Sequence, residues 1–238
     1  PLATSPVTGV RALAAPGFSR DKVMATVITL LDATLIRVGN TQYARDNRSY
    51  GLTTLRSRHV EVNGSAILFQ FRGKSGIEHQ ITVKDRRLAK VVRQLEGLPG
   101  QQLFKYRAAD GTLGPVDSDD VNAYIREAMG EQFSAKDFRT WGGTLEAIRQ
   151  LAVTELPEPS SERALAGLQK QVVCEVATLL GNTPSVCRKS YIDPCVFDGW
   201  RAGSLKALAG LRGERQWEQA TLKVLKAARR TVKRARAA

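Results

Sequence analysis

Apolar residues recur at threes and fours from Ser19 onward, at Val23, Val27, Leu30, Leu31 and Leu35, which predicts a helix with Gly39 as its C-cap. On that reading Arg37 falls in the last turn. Between residues 58 and 84 the period drops to two. His59-Val60-Glu61-Val62 alternates, Asn63-Gly64 marks a tight hairpin, and Ile67, Phe69 and Phe71 alternate again. A second turn at Gly73-Lys74-Ser75-Gly76 leads into Ile77, His79, Ile81 and Val83. The pattern predicts three antiparallel strands with Lys74 near the tip of the second hairpin. Helical periodicity returns near 85–96, 118–129 and 135–153. The stretch from Glu155 to Ser161 interrupts it, and Ser160 or Ser161 can cap a helix that runs to about Leu180 and stops at Gly181-Asn182-Thr183-Pro184. After residue 203 the pattern is again helical. The predicted fold is α+β, mainly α-helical with a small three-stranded antiparallel sheet. Residues 1–18 read as a linker or arm, 19–203 as the main domain, and 204–238 as a basic helical tail packed on it or extending it.

Composition turns this outline toward a polyanionic partner. Of 238 residues 42% are hydrophobic, enough for a sizeable core, while 36 Lys and Arg against 23 acidic residues leave a net charge of +13. Such an excess fits nucleic acid or an anionic membrane surface. No apolar run approaches the roughly 20 residues a spanning helix needs, which favours nucleic acid. Lys223, Lys226, Arg229, Arg230, Lys233, Arg234 and Arg236 crowd the tail with few acidic neighbours. They fit either a solvated helix face or a non-specific DNA-binding arm. Three cysteines without C-x-x-C spacing suit a reduced intracellular protein. Two histidines, His59 and His79, leave a histidine-rich metal site nearly excluded. The opening segment lacks the charged start and apolar stretch of a signal peptide, and without an initiator Met the true N-terminus is expected upstream.

A basic chain this poor in His and Cys must handle phosphate with other groups. Splitting a phosphodiester loads charge onto the non-bridging oxygens and requires a proton for the leaving oxygen. Arginine grips phosphate oxygens with a planar fork of donors, lysine can deliver a proton, and a tyrosine hydroxyl can attack and store the bond as an ester. Four segments supply those parts: Leu35-Ile36-Arg37-Val38-Gly39-Asn40, Phe71-Arg72-Gly73-Lys74-Ser75-Gly76, Lys136-Asp137-Phe138-Arg139-Thr140-Trp141, and Gly181-Asn182-Thr183-Pro184 running to Lys189-Ser190-Tyr191.

In this order, with Tyr50-Gly51-Leu52-Thr53-Thr54-Leu55 and Arg56-Ser57-Arg58-His59-Val60 between the first two, these segments resemble those of the poxvirus and bacterial type IB DNA topoisomerases, over roughly residues 23–195. Each motif alone is common; their joint order and spacing carry the resemblance. It implies that 19–203 is a topoisomerase IB-like catalytic domain in which Arg37 and Arg139 hold the scissile phosphate. Lys74 would reach into the minor groove and protonate the departing 5′-oxygen. Tyr191 would attack phosphorus to form a 3′-phosphotyrosyl intermediate, and strand rotation and religation would relax supercoils. Asn182 stands where poxvirus members carry His; its amide can still donate to a non-bridging oxygen but cannot carry charge. Tyr43 and Lys136 match positions near DNA. The resemblance implies no ATP, metal or other cofactor. The implied partner is double-stranded DNA, with no membrane. It implies a monomer of bacterial type, cytoplasmic and nucleoid-associated.

Family members usually carry a smaller N-terminal domain that closes over the duplex. Only residues 1–18 precede the first predicted helix, so that domain is expected to have been removed, or the chain is a minimal form. Weaker, more salt-sensitive DNA binding is then expected. Two alternatives remain open. A tyrosine recombinase shares the chemistry but usually has an H-x-x-R pattern where this chain has Lys136-Asp137-Phe138-Arg139. A catalytically silent DNA-binding module fits the charge, but has no need of the full Arg-Lys-Arg-Asn-Tyr set.

Overall fold

The computed structural model describes residues 15–235 and Leu13, with side chains as far as Thr231. Most of the arm expected at 1–18 lies outside the described residues, as does Arg236, and Lys233 and Arg234 are described in backbone only. The fold is α+β, mainly helical, as the periodicity predicts. The chain divides into two compact units, one reaching to Phe138 and the other beginning at Arg139.

In the first unit helix α1 (Arg20–Thr34) is the buried centre, capped by the Ser19 hydroxyl and enclosed at Val23, Met24, Val27, Ile28, Leu30 and Leu31. It ends sooner than its apolar period suggests. Thr34 Oγ1 donates back to the Leu30 carbonyl (2.5 Å) and accepts the Ile36 amide (3.3 Å), while Leu35 turns left-handed at φ 54°. Arg37 therefore lies beyond the helix and not in its last turn. Gly39, predicted as the cap, lies further along the same loop.

Helix α2 (Thr41–Asn47), capped by Asn40, buries no residue, so it leaves no hydrophobic period to read. Strands β1 (Val60–Asn63), β2 (Ala66–Arg72) and β3 (Glu78–Lys84) form the predicted antiparallel sheet in the order β1-β2-β3. Its register pairs Phe69 with Ile81, Phe71 with His79 and Arg72 with Glu78. His79 is in β3, but His59 precedes β1 in a 3-10 turn. Helix α3 (Arg86–Glu96) is capped by Asp85 and buries Leu88, Val91, Val92 and Leu95. A hairpin of β4 (Lys105–Arg107) and β5 (Leu113–Pro115) is too short to show a period. Buried Lys105 Nζ is fully ligated by the carbonyls of Leu98, Pro99 and Gly100 at 2.8–3.0 Å. Helix α4 (Ser118–Met129) completes the unit, together with the first turn of α5 (Ala135–Val153).

The second unit contains the rest of α5, then α6 (Glu162–Leu180), α7 (Pro184–Ser190), α8 (Cys195–Arg201) and α9 (Glu214–Ala235). Ser161 caps α6 and Gly181 ends it at φ 56°, as the sequence predicts. Ile148, Leu151, Val172, Val176, Phe197 and Trp200 supply the core, and Trp200 Nε1 donates to the Thr154 carbonyl at 2.9 Å. The tail is not helical from residue 203. Turns and a short 3-10 segment intervene, and α9 starts only at Glu214, where Trp217 is buried beneath the Arg149 guanidinium. Glu214 itself pairs with Arg149.

His59 couples the first unit to pH. Its ring lies 4.4 Å from that of Tyr50, and burial, then the charges of Arg58 and Arg56, push its pKa from 6.5 down to about 4. The native imidazole stays neutral down to about pH 4, whereas the unfolded one binds a proton below about pH 6.5. Its contribution to stability is whole above the higher value and declines as pH falls toward the lower. The melting temperature of wild type should therefore fall more steeply over that window than that of His59→Gln. Parallel curves would contradict this account of His59.

Candidate active site

In the second unit three of the predicted site residues come together. Arg139 is 4% exposed on α5, and its Nη2 donates to the Leu180 carbonyl at 2.7 Å. Leu180 is the last residue of α6, so the guanidinium meets the negative end of that helix. Gly181 then turns the chain, and the Asn182 backbone N–H donates to the Ala177 carbonyl at 2.9 Å. Thr183 caps α7 with Pro184 in its first turn. Tyr191 ends α7, its amide donating to Cys187 O at 2.9 Å. One short helix thus accounts for the spacing between Asn182 and Tyr191. The Tyr191 ring is 6% exposed and lies under the Arg139 guanidinium, 5.1 Å from its centroid. A permanent positive charge sits beside the phenol. Cys187 is buried nearby; burial pushes its thiol up to about 11, with Arg139 opposing.

A second set of contacts, absent from the predicted site, holds the Tyr191 backbone. Thr140 Oγ1 donates to the Ser190 carbonyl and Thr144 Oγ1 to the Tyr191 carbonyl, each at 3.4 Å. Thr144 Oγ1 also accepts the Asp193 amide at 3.1 Å. Between them on the same face is Gly143, where a Cβ would sit 2.7 Å from the Tyr191 carbonyl oxygen. A glycine inside a strongly helical segment was the available clue to this close approach.

Arg37 and Lys74 stand on the first unit, where backbone bonds tie them together. The Leu52 amide donates to Arg37 O at 2.8 Å and the Thr53 amide to Val38 O at 2.7 Å. Next to them the Tyr50 amide donates to Arg72 O at 2.8 Å, two residues before Lys74. The Tyr50-to-Leu55 segment is therefore the splint that sets the Arg37 loop against the Lys74 hairpin. It too depends on a glycine: a Cβ on Gly51 would lie 2.6 Å from the Arg37 carbonyl oxygen. Lys74 is exposed in a 3-10 turn, as predicted for a hairpin tip, with Gly73 N donating to Ile77 O at 2.7 Å. Tyr43, on α2, is 55% exposed. Lys136 is exposed in the first turn of α5, where the Asp137 carboxylate accepts from Ser134. Among the described residues no cluster of His, Cys, Asp and Glu could hold a metal ion, and no helix is long and apolar enough to cross a membrane.

Arginine, amide and tyrosine gathered at the ends of two helices form a site suited to gripping and attacking a phosphate. The family model for the catalytic core of eukaryotic DNA topoisomerase I matches residues 10–195, a span that includes all five predicted catalytic residues. The chain belongs to this topoisomerase I catalytic-core family. The DNA topoisomerase 1B of Acanthamoeba polyphaga mimivirus is 31% identical over 182 residues, covering 74% of this chain and 54% of that protein. The DNA topoisomerase I of monkeypox virus is 26% identical over 171 residues, and the DNA topoisomerase 1B of vaccinia virus (strain Western Reserve) 25% over the same length. Each of those two alignments covers 68% of this chain and 49% of the viral protein. The chain thus spans about half the length of the curated relatives it matches. Residues 196–238, which include α9, lie outside the family match.

Gly143→Ala must push a carbonyl that belongs to the candidate nucleophile. Overpacking of this kind costs about 1–3 kcal/mol, and a shift of about 1 Å at a reacting group costs on the order of 10²-fold in rate. Gly143→Ala should therefore fold with a lowered denaturation midpoint and cleave a suicide duplex far more slowly in a single turnover. A wild-type rate and midpoint would contradict the close approach.

Proposed function

We propose that this chain is the catalytic part of a type IB DNA topoisomerase, acting as a monomer on double-stranded DNA. The observation that carries the reading is the buried Tyr191 ring under Arg139 within a chain of the topoisomerase I catalytic-core family. Tyr191 Oη loses its proton to solvent water and attacks the scissile phosphorus, a P–O bond to tyrosine forms, and the P–O5′ bond breaks. On religation the departing phenolate takes a proton back from water. Lys74 Nζ gives its proton to the departing 5′-oxygen and recovers one when the 5′-hydroxyl attacks in reverse. Arg37, Arg139 and the Asn182 amide meet the charge on the non-bridging oxygens. The bond energy is kept in the phosphotyrosyl ester, so religation draws on no nucleotide triphosphate. Rotation of the cut strand between the two transesterifications relaxes supercoils. A cytoplasmic, nucleoid-associated location belongs to the same proposal.

Two further elements support DNA as partner. Tyr43 and Lys136 present an aromatic ring and a cation to solvent. The exposed cations of α9, from Lys223 to Arg230, have no acidic residue after Glu218 to offset them, which suits non-specific contact with duplex phosphates.

Plasmid relaxation in EDTA without ATP tests the activity. The wild-type chain should relax supercoiled DNA at any site, whereas Tyr191→Phe should leave it supercoiled while still binding it. Strict dependence on paired specific sequences would instead indicate a recombinase. Binding with no relaxation, and no nicking in wild type, would indicate a silent DNA-binding module. Asn182→Ala should slow single-turnover cleavage by a factor on the order of 10²; an unchanged rate would remove Asn182 from the site.

A further inference from the structure

Beside the Lys74 hairpin the first unit has an open groove of about 590 Å³, with Arg48, Tyr50, Arg58, His59, Arg72 and His79 in its lining. Arg48, Arg58 and Arg72 are exposed, and among the described residues none of them forms an ion pair. Glu78, paired in register with Arg72, is the acidic residue of the groove. Arg72 folds toward the Lys74 turn, its Nη2 only 3.0 Å from where a Cβ on Gly76 would sit.

The decisive feature is a meeting of donors. His59 Nδ1 accepts the Arg56 amide at 3.1 Å. A neutral imidazole that accepts at Nδ1 carries its proton at Nε2. Arg58 Nε–H lies 3.4 Å from that Nε2. Two N–H groups cannot satisfy each other, whereas one acceptor reached by both can satisfy them together. Arg58 Nη2 is also 3.5 Å from Tyr50 Oη, which brings a third polar group to the same spot. His59 is 9% exposed, so its donor belongs to the groove's floor, while the arginines along it remain open to solvent.

We propose that this groove binds a backbone phosphate of duplex DNA, gripped jointly by Arg58 and His59 Nε2–H and flanked by Arg48 and Arg72. Several arginines spread along an open trough suit a polymer with regularly spaced phosphates better than a single free ion. The groove lies on β2 and β3, the strands that carry the Lys74 turn. A phosphate held here registers the duplex against that lysine. The proposal rests on DNA being the substrate, but not on the chain being able to cut it.

The test is equilibrium binding of the full chain, in a Tyr191→Phe background, to a duplex over a range of salt. Arg58→Gln should lose roughly tenfold in affinity across unrelated sequences, and the slope of log K against log salt should shrink by about 0.9, the value for one phosphate contact. Arg163→Gln, an exposed arginine of α6 that removes the same charge, should alter neither quantity. A single neutral methylphosphonate walked along the duplex should weaken the parent at one position and leave Arg58→Gln unaffected there. Equal affinities and slopes for the two glutamine variants would overturn the proposal. So would inorganic phosphate binding that depends on Arg58 while duplex binding does not, which would indicate a site for the free ion. If wild type forms no covalent adduct but Arg58-dependent binding remains, the enzymatic reading fails and the groove stands.

Discussion

The bond from Arg139 to the Leu180 carbonyl organises the second unit. A guanidinium buried this deeply must find partners, because an unligated charge in a protein interior is very costly. The end of a helix supplies both a bare carbonyl and the negative end of a dipole. Meeting them fixes where α6 stops relative to α5, and the position of Asn182 follows from that stop. Tyr191, one short helix further on, comes back under the same guanidinium. One arginine therefore stabilises the turn that presents the amide and covers the ring of the candidate nucleophile.

Both units hold their functional segments by the same device. Gly51 allows a backbone segment to close on the Arg37 carbonyl, and Gly143 allows α5 to close on the carbonyl of Tyr191. In each case the missing side chain lets neighbouring hydrogen bonds form, from Leu52 to Arg37 and from Thr144 to Tyr191. Arg37, Lys74, Asn182 and Tyr191 all stand just past the ends of regular elements, where side chains are free of the helix or strand period. Arg139 alone comes from within a helix, and within the second unit it bonds the turn before Asn182 and covers the Tyr191 ring.

Segments with a strong apolar period were legible in the sequence: Arg86–Glu96, Ser118–Met129, Glu162–Leu180 and the strands on either side of Asn63-Gly64. The end of α1 was not, because the Thr34 hydroxyl and a left-handed Leu35 decide it against the hydrophobic pattern. Helix α2 and the β4–β5 hairpin leave no signal in the sequence, because one buries nothing and the other is too short. The candidate catalytic residues could be picked out by motif order. Their supports could not, since Thr140, Gly143 and Thr144 act through contacts with residues 47 to 50 positions away. The Arg58–His59 donor pair was equally hidden, for it depends on which imidazole nitrogen is already occupied.

On the proposed mechanism Tyr191, lodged beneath Arg139, is the group that becomes joined to DNA. Trapping the chain on a suicide duplex, digesting with protease and sequencing the peptide left on the strand tests it most directly. One DNA-linked peptide is expected, containing Tyr191 and attached to a 3′-phosphate. A DNA-linked peptide that excludes Tyr191, or attachment at a 5′ end, would contradict it.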